Sequence, residues 1–250
     1  QVQRLTERLR AEGVELPVVL GMRNWHPFLR DVLPALGRSG LQRGIGLVLA
    51  PHRSHASFEK YLETIEQVRR DADGPAPSYD YVGPWHTDEG FIAAQADHVR
   101  RALAELPLAD RDVAWLVFTA HSIPTELAQR SQYAEEFRAS SRLVAEALGI
   151  PRWRLAYQSR SGDPRQPWLE PDVASALGTL AGEGARAVVL VPIGFLCDHT
   201  EVLYDLDLEA AQAAARLGLR CARASTVMDH PRFIDALARG ILAQLRSSAR

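Results

Sequence analysis

The chain has little cysteine and no long apolar run. Only two of its 250 residues are cysteines, Cys197 and Cys221. Two are too few for a disulfide framework or a four-cysteine cluster, so we expect buried thiols in a reducing compartment and no iron–sulfur cluster. No stretch reaches about 18 apolar residues and no secretory signal peptide is recognisable, so no membrane-spanning segment is expected. These absences predict a cytoplasmic protein.

Several common enzyme motifs are also missing. The sequence has no Gly-x-Gly-x-x-Gly, no Walker phosphate loop and no Gly-x-Ser-x-Gly, which argues against nucleotide enzymes and α/β-hydrolases. Its 29 basic and 31 acidic residues give a net charge of −2 with no basic stripe, so no nucleic-acid partner is expected. The length suits one large or two ordinary globular domains.

Apolar β-rich runs alternate with amphipathic helical patterns along the whole chain. The predicted strands are residues 17–21, 44–50, 79–82, 113–120, 154–158, 187–195 and 221–225. The predicted helices are residues 2–12, 28–36, 57–72, 88–105, 124–148, 171–183, 201–217 and 231–245. This alternation predicts an α/β fold with parallel sheets flanked by helices. The seven strands could form one sheet, but two similar lobes with a cleft between them are the better interpretation.

A charged segment at residues 106–112 marks the expected boundary between the lobes. We therefore predict an N-terminal lobe at residues 1–109 and a C-terminal lobe at residues 110–250. Because the chain opens in a helical pattern rather than in a buried strand, the first lobe is expected to be incomplete at its N-terminus.

The carboxyl ends of the predicted strands indicate where a ligand binds, because parallel α/β sheets bind ligands beyond that edge. The rule places residues 119–122, 158–160 and 194–199 at one rim. His121 follows an apolar strand there, and an imidazole can accept a proton or ligate a metal near neutral pH. A hydrogen-bonded capping histidine is the alternative interpretation.

Residues 198–209 carry five carboxylates and one histidine, with no lysine or arginine. Glu201, Asp205 and Glu209 recur every four residues and would form one row on a helix, where like charges repel by about 0.2–0.5 kcal/mol per pair. Oxygen ligands in a row suit a divalent cation, whereas a solvated acidic face is the alternative. Helix capping is a sufficient explanation for Asp198 but not for the row.

Two further segments contain candidates for ligand binding. Arg23, Trp25 and His26 follow the first predicted strand, and an arginine fork pairs naturally with a carboxylate. A solvated surface arginine explains the position equally well. Trp168 follows a loop rich in glycine and proline. Its side chain either lines the site of a flat ligand or is a hydrophobic plug that packs under the loop.

A series of ordered motifs resembles the ferrochelatase family. They are Phe-Thr-Ala-His-Ser-Ile-Pro at 118–124, Tyr-Gln-Ser-Arg at 157–160, Pro-Trp-Leu at 167–169, Val-Pro-Ile-Gly-Phe at 191–195 and Asp-His-Thr-Glu-Val-Leu-Tyr-Asp-Leu-Asp at 198–207. Residues 21–27, 49–52 and 229–237 match as well, so the resemblance covers essentially the whole chain. It implies a lyase that inserts Fe²⁺ into a porphyrin, protoporphyrin IX or coproporphyrin III, in haem biosynthesis. The porphyrin would occupy a cleft between two Rossmann-like lobes.

The resemblance also implies roles for individual residues. His121 and Glu201 would be the catalytic pair, and with Asp205 and Glu209 they would handle the metal, the row lying on a locally widened helix. The implied substrate-binding residues are Arg23, Trp25, His26, Ser122, Trp168, Asp198 and His199. Fe²⁺ and porphyrin would be the substrates, with no permanent cofactor. The family's loop over the porphyrin has no counterpart here, and Asn24 stands where some members have histidine or tyrosine.

Two alternatives remain open on the sequence alone. One is a non-catalytic tetrapyrrole- or metal-binding protein. The other is a related class II chelatase of the same fold that acts on cobalt or sirohydrochlorin, for which paired histidines rather than His121 with Glu201 are expected. We expect a monomer rather than a dimer, and peripheral association with a membrane stays open.

Overall fold

Two parallel sheets surrounded by helices form the fold. The computed structural model describes residues 1–74, 76–163 and 165–248. Within them a two-stranded sheet pairs β1 (Arg43–Gly46) with β2 (Ser78–Tyr81). A four-stranded sheet has the order β4-β3-β5-β6, with strands β3 (Trp115–His121), β4 (Trp153–Gln158), β5 (Ala187–Val191) and β6 (Arg220–Arg223). The predicted α/β class with parallel sheets flanked by helices is confirmed.

The helices fall close to the predicted positions. They are α1 (Val2–Ala11), α2 (Leu29–Arg38), α3 (Lys60–Asp71), α4 (Glu89–Glu105), α5 (Leu108–Arg111), α6 (Thr125–Gln129), α7 (Tyr133–Leu148), α8 (Val173–Gly182), α9 (Thr200–Val202), α10 (Ala211–Arg216) and α11 (Pro231–Ser248). Two π-helical segments adjoin them: His55–Glu59 leads into α3, and Leu203–Ala210 joins α9 to α10. The expected widening of the acidic helix is therefore confirmed. None of the helices described here is long and apolar enough to cross a membrane.

The four-stranded sheet is covered on both faces, which explains its continuous apolar strands. Every residue of β5 is fully buried. Helices α4 and α7 pack on one face, and α8 and α10 pack on the other. Strand β5 ends at Val191, earlier than predicted, because Pro192 has no N–H to continue the ladder.

The predicted boundary between lobes falls after α4. This helix packs on the four-stranded sheet and also against α7 and α11, so helices from both halves of the sequence share one core. The division at residues 109 and 110 stays a prediction.

Some details differ from the sequence predictions. The strand expected at residues 17–21 is wrong: the segment pairs with no strand among the described residues, and Val19 and Leu20 are 51% and 40% exposed. The helix expected at residues 124–148 is interrupted after α6 and resumes at α7. The expectation of two buried thiols is wrong for Cys197, which is exposed in the loop between β5 and α9, and Cys221 is only half-buried.

Loops of the two-stranded sheet are fastened to α7. The backbone N–H and the Nε of Arg53, after β1, each donate to the Glu136 carboxylate at 2.7 Å. His86, after β2, lies 3.8 Å from the same carboxylate, which is almost fully buried. Beside them buried His52 shares a 2.8 Å hydrogen bond with Ser140. The loops that follow β1 and β2 are therefore held against α7, which packs on the larger sheet.

Candidate active site

His121 stands at the carboxyl end of β3 with its side chain 37% exposed. Its Nδ1 is hydrogen-bonded to the backbone carbonyl of Ser122. A carbonyl oxygen can only accept, so Nδ1 carries the proton and the lone pair of the neutral ring lies on Nε2. Nε2 is therefore the atom that can take up a proton or bind a metal.

The end of β3 is held firmly on two sides. The Tyr133 hydroxyl donates to the His121 carbonyl at 2.7 Å, and burial raises the pKa of Tyr133, so it remains a donor. On the other side, the Gly194 N–H donates to the Thr119 carbonyl at 3.0 Å. A Cβ at Gly194 would lie 2.6 Å from the Cβ of Ala120, so only glycine permits this approach. Sequence reasoning missed Tyr133, which no motif marks as a support.

Glu201 faces His121 from α9. Its Oε1 lies 3.7 Å from Nε2 of His121, which is too long for a direct hydrogen bond. Two ligand atoms about 2.1 Å from one first-row metal ion lie roughly 3–4 Å apart. The structure thus brings the two predicted catalytic residues together at a separation that suits a shared metal ion.

The acidic row continues from Glu201 along the π-helical segment. A π-helix closes its hydrogen bonds over five residues, so side chains four apart lie nearer to one line than on an α-helix. Asp205 is half-buried and accepts from Gln158 Nε2 at 3.2 Å and from the Ser159 hydroxyl. Glu209 is exposed, and no hydrogen bond or ion pair reaches it within the described ranges.

Ser159 has an unusual backbone conformation. Its φ is 60°, in the left-handed region that costs a non-glycine residue about 1–3 kcal/mol. The conformation accompanies the hydrogen bond from its hydroxyl to Asp205. Sequence reasoning placed Ser159 at the rim but did not name it as a site residue, because its partner is far away in the chain.

The two remaining carboxylates of residues 198–209 pair with one arginine. Arg223 on β6 donates from Nη1 to Asp198 at 3.0 Å and from Nε to Asp207. The capping explanation for Asp198 is therefore wrong, because His199 occupies the N-cap position and Asp198 binds Arg223 and the Thr226 N–H instead.

Three other candidates lie on loops around His121 and Glu201. Ser122 is buried and donates to the Leu169 carbonyl at 2.9 Å. Trp168 pairs with Pro124 in an isolated bridge, and its buried indole N–H has no acceptor among the described residues. His199 is exposed with its ring edge against Phe195 at 5.5 Å between centroids.

The candidates Arg23, Trp25 and His26 lie in the segment before α2. Arg23 donates to the Ala56 carbonyl at 3.2 Å, and its guanidinium stands over the ring of Tyr61 at 5.4 Å. Trp25 is 71% exposed, and the His26 ring lies beside Phe28. In the part of the chain that the structure describes, no hydrogen bond, ion pair or ring contact joins these three to His121 or Glu201. Their substrate-binding roles stay predictions.

The site does not resemble a closed metal centre. Among the described residues, no three histidine, cysteine, aspartate or glutamate side chains converge in a group that could hold a metal ion. His121 and Glu201 form a pair, and the row leads away from it.

Comparison with known proteins identifies the family. The sequence model of ferrochelatase matches residues 1–245. The chain belongs to the ferrochelatase family. The ferrochelatase of Rhodopirellula baltica is 39% identical over 234 residues, which cover 93% of this chain and 66% of that protein. The coproporphyrin III ferrochelatase of Streptomyces griseus is 42% identical over 243 residues, which cover 90% of this chain and 65% of that protein.

These relatives are longer than the ferrochelatase-family chain described here, which spans about two thirds of their length. Among solved structures, SirB from Bacillus subtilis with Fe³⁺ is similar with a TM-score of 0.68 and 14% identity, covering 99% of this chain and 89% of SirB. CbiX, described as the terminal enzyme of sirohaem biosynthesis in denitrifying bacteria, gives a TM-score of 0.59 at 13% identity, covering 97% of this chain and 88% of CbiX. At such identities the likeness shows the fold alone.

Proposed function

We propose that this ferrochelatase-family protein inserts Fe²⁺ into a porphyrin in haem biosynthesis. The pairing of His121 Nε2 with Glu201 Oε1 at 3.7 Å carries the proposal. Insertion needs a base for the pyrrole protons and oxygen or nitrogen ligands for an ion that is losing water. Nε2, with Nδ1 held by the Ser122 carbonyl, provides the first, and Glu201 provides the second.

The chemistry balances without another reactant. A porphyrin with two pyrrole N–H groups and Fe²⁺ yield the iron porphyrin and two protons. His121 Nε2 accepts the two pyrrole protons one after the other and passes each to solvent. Because Nε2 has one lone pair, it cannot ligate the ion while it accepts a proton, and the Glu201 carboxylate replaces water on the incoming ion at that stage. Fe²⁺ is a substrate in this scheme, and we propose that no resident cofactor takes part.

The acidic row supports delivery of the ion to this pair. Glu201, Asp205 and Glu209 have no arginine or lysine partner among the described residues. Carboxylate oxygens can replace the water of a divalent cation step by step. The row therefore offers a route along the π-helical segment that ends at the residue facing His121.

Coproporphyrin III is the porphyrin we favour. The Streptomyces griseus relative carries that substrate in its name, as do further relatives at 42% identity from mycobacteria. The test is anaerobic metallation of coproporphyrin III and protoporphyrin IX, each followed by its absorbance change. Faster turnover of coproporphyrin III supports the assignment, and faster turnover of protoporphyrin IX contradicts it.

Two alternatives are separated by the same assay. A tetrapyrrole-binding protein would bind the porphyrin without metallating it. A chelatase that uses paired histidines is disfavoured by the partner of His121, which is a carboxylate. The cytoplasmic location, the monomeric state and a peripheral membrane contact stay predictions.

A further inference from the structure

Arg223 joins two distant points of the acidic segment. Its Nη1 lies 3.0 Å from Asp198, which precedes α9, and its Nε and Nη2 lie 2.5 and 3.2 Å from the two carboxylate oxygens of Asp207, inside the π-helical segment. The side chain of Arg223 is only 16% exposed. Burial by itself lowers the pKa of Arg223, but the hydrogen bonds and charges of both aspartates outweigh it and the net shift is upward.

This contact divides the five carboxylates of residues 198–209 into two groups. Asp198 and Asp207 both pair with the guanidinium of Arg223, whereas Glu201, Asp205 and Glu209 are left for a cation. A π-helical stretch is rare in proteins, and this one has side-chain contacts from two strands. Arg223 holds it from β6, and Gln158 and Ser159 hold Asp205 from the end of β4.

We propose that Arg223 is a positioning residue for iron delivery, whose fork fixes the widened segment so that Glu201, Asp205 and Glu209 stand in one row aimed at His121. The proposal deepens the proposed function and rests on it. Arg223 does not touch the ion or the porphyrin in this scheme. It acts through the backbone that carries the row.

A simpler role of Arg223 as a counter-charge makes opposite predictions. Without the guanidinium, two more free carboxylates would strengthen the attraction for Fe²⁺, so the KM for iron would fall. A lysine at the position would keep the charge and so behave like the native arginine. The positioning role depends instead on the planar guanidinium, which binds Asp198 and Asp207 at the same time. The single ammonium of a lysine cannot reproduce this geometry.

The test compares Arg223→Lys and Arg223→Met with Arg154→Met. Arg154 is the control because its Nη2 donates to both carboxylate oxygens of Glu183 at 3.0 Å, from the same sheet but away from the acidic segment. We expect both Arg223 variants to raise the KM for Fe²⁺ by about 10- to 100-fold, as is typical when partners of metal-handling side chains are removed. The KM for porphyrin should stay unchanged, and the control should match the native protein. A native KM for iron in Arg223→Lys, or a lowered one in Arg223→Met, would overturn the proposal.

A second readout does not depend on activity. Amide hydrogen exchange across Leu203–Ala210 should accelerate in Arg223→Lys and stay native in Arg154→Met. If the native protein inserts no iron, the proposed function fails. The exchange comparison still tests whether Arg223 holds the π-helical segment. Native exchange in Arg223→Lys would show that the fork does not hold the segment.

Discussion

Nε2 of His121 lies 3.7 Å from Oε1 of Glu201, although the two residues are 80 positions apart in sequence and belong to different elements. The parallel order of β3 and β5 creates this approach, because both strands end at the same rim. His121 ends β3, and the loop after β5 leads into the short helix with Glu201. The fold thus places a base with a defined tautomer opposite a carboxylate.

Substitution of His121 by alanine should abolish metallation and leave the fold intact. The side chain is 37% exposed and its contacts are local, so little core packing is lost. The insertion rate and the thermal melt of His121→Ala should be measured together, with His55→Ala as an exposed-histidine control. Near-native insertion by a folded His121→Ala protein would remove this residue from the mechanism.

The variant Glu201→Gln retains the shape of the side chain and removes its charge. We expect kcat to fall by about 10²–10⁴-fold, the usual range for a lost proton-transfer or charge-stabilising group. The KM for porphyrin should change little, because the lost interaction concerns the ion. Steady-state kinetics with Glu170→Gln as a control would check this, and a rise in the porphyrin KM with unchanged kcat would indicate a binding role instead.

The row should control the use of iron. The double variant Asp205→Asn and Glu209→Gln is expected to raise the KM for Fe²⁺ more than the KM for porphyrin. Each like-charge pair that is removed should stabilise the helix by about 0.2–0.5 kcal/mol. Asp205, however, accepts hydrogen bonds from Gln158 and Ser159, so the melting temperature should rise only in the single variant Glu209→Gln. Iron saturation curves identical to those of the native protein would leave the row as surface charge.

Stability should depend on pH through His52. Burial lowers the pKa of His52 to about 3, from 6.5 for an ordinary histidine. The unfolded chain therefore takes up this proton first as pH falls, and the free energy of unfolding decreases by about 1.4 kcal/mol per pH unit below 6.5 until the folded-state pKa is reached. Burial also lowers the pKa of His86, which adds to the same slope. Urea unfolding of His52→Gln and of the control His55→Gln should be measured between pH 7 and pH 4. The free energy of unfolding should fall less steeply with decreasing pH in His52→Gln, by the equivalent of about one proton. Equal slopes in the two variants would contradict the assignment.

The rim of the large sheet could be predicted from sequence because apolar patterning and the alternation of strands with helices are local signals. His121 follows an apolar run, and Glu201, Asp205 and Glu209 recur at helical spacing. Their placement followed from the rule that parallel strands share one ligand edge.

Partners that come from distant parts of the chain could not be predicted in this way. Arg223 lies on β6 and belongs to no motif, so the sequence does not indicate its pairing with Asp198 and Asp207 and favours a capping role for Asp198 instead. Tyr133 supports His121 only after α7 folds back on β3. The extended segment at residues 17–21 has strand-like composition, but composition does not supply a neighbouring strand.

Anaerobic single-turnover metallation of coproporphyrin III with Fe²⁺ tests the central claim most directly. The protein and its His121→Ala variant would be mixed with both substrates, and the porphyrin spectrum would be followed to the iron porphyrin. The account predicts that the native protein forms the iron porphyrin and that the variant binds porphyrin without metallating it. Porphyrin binding by the native protein with no iron insertion, or equal insertion by both proteins, would contradict it.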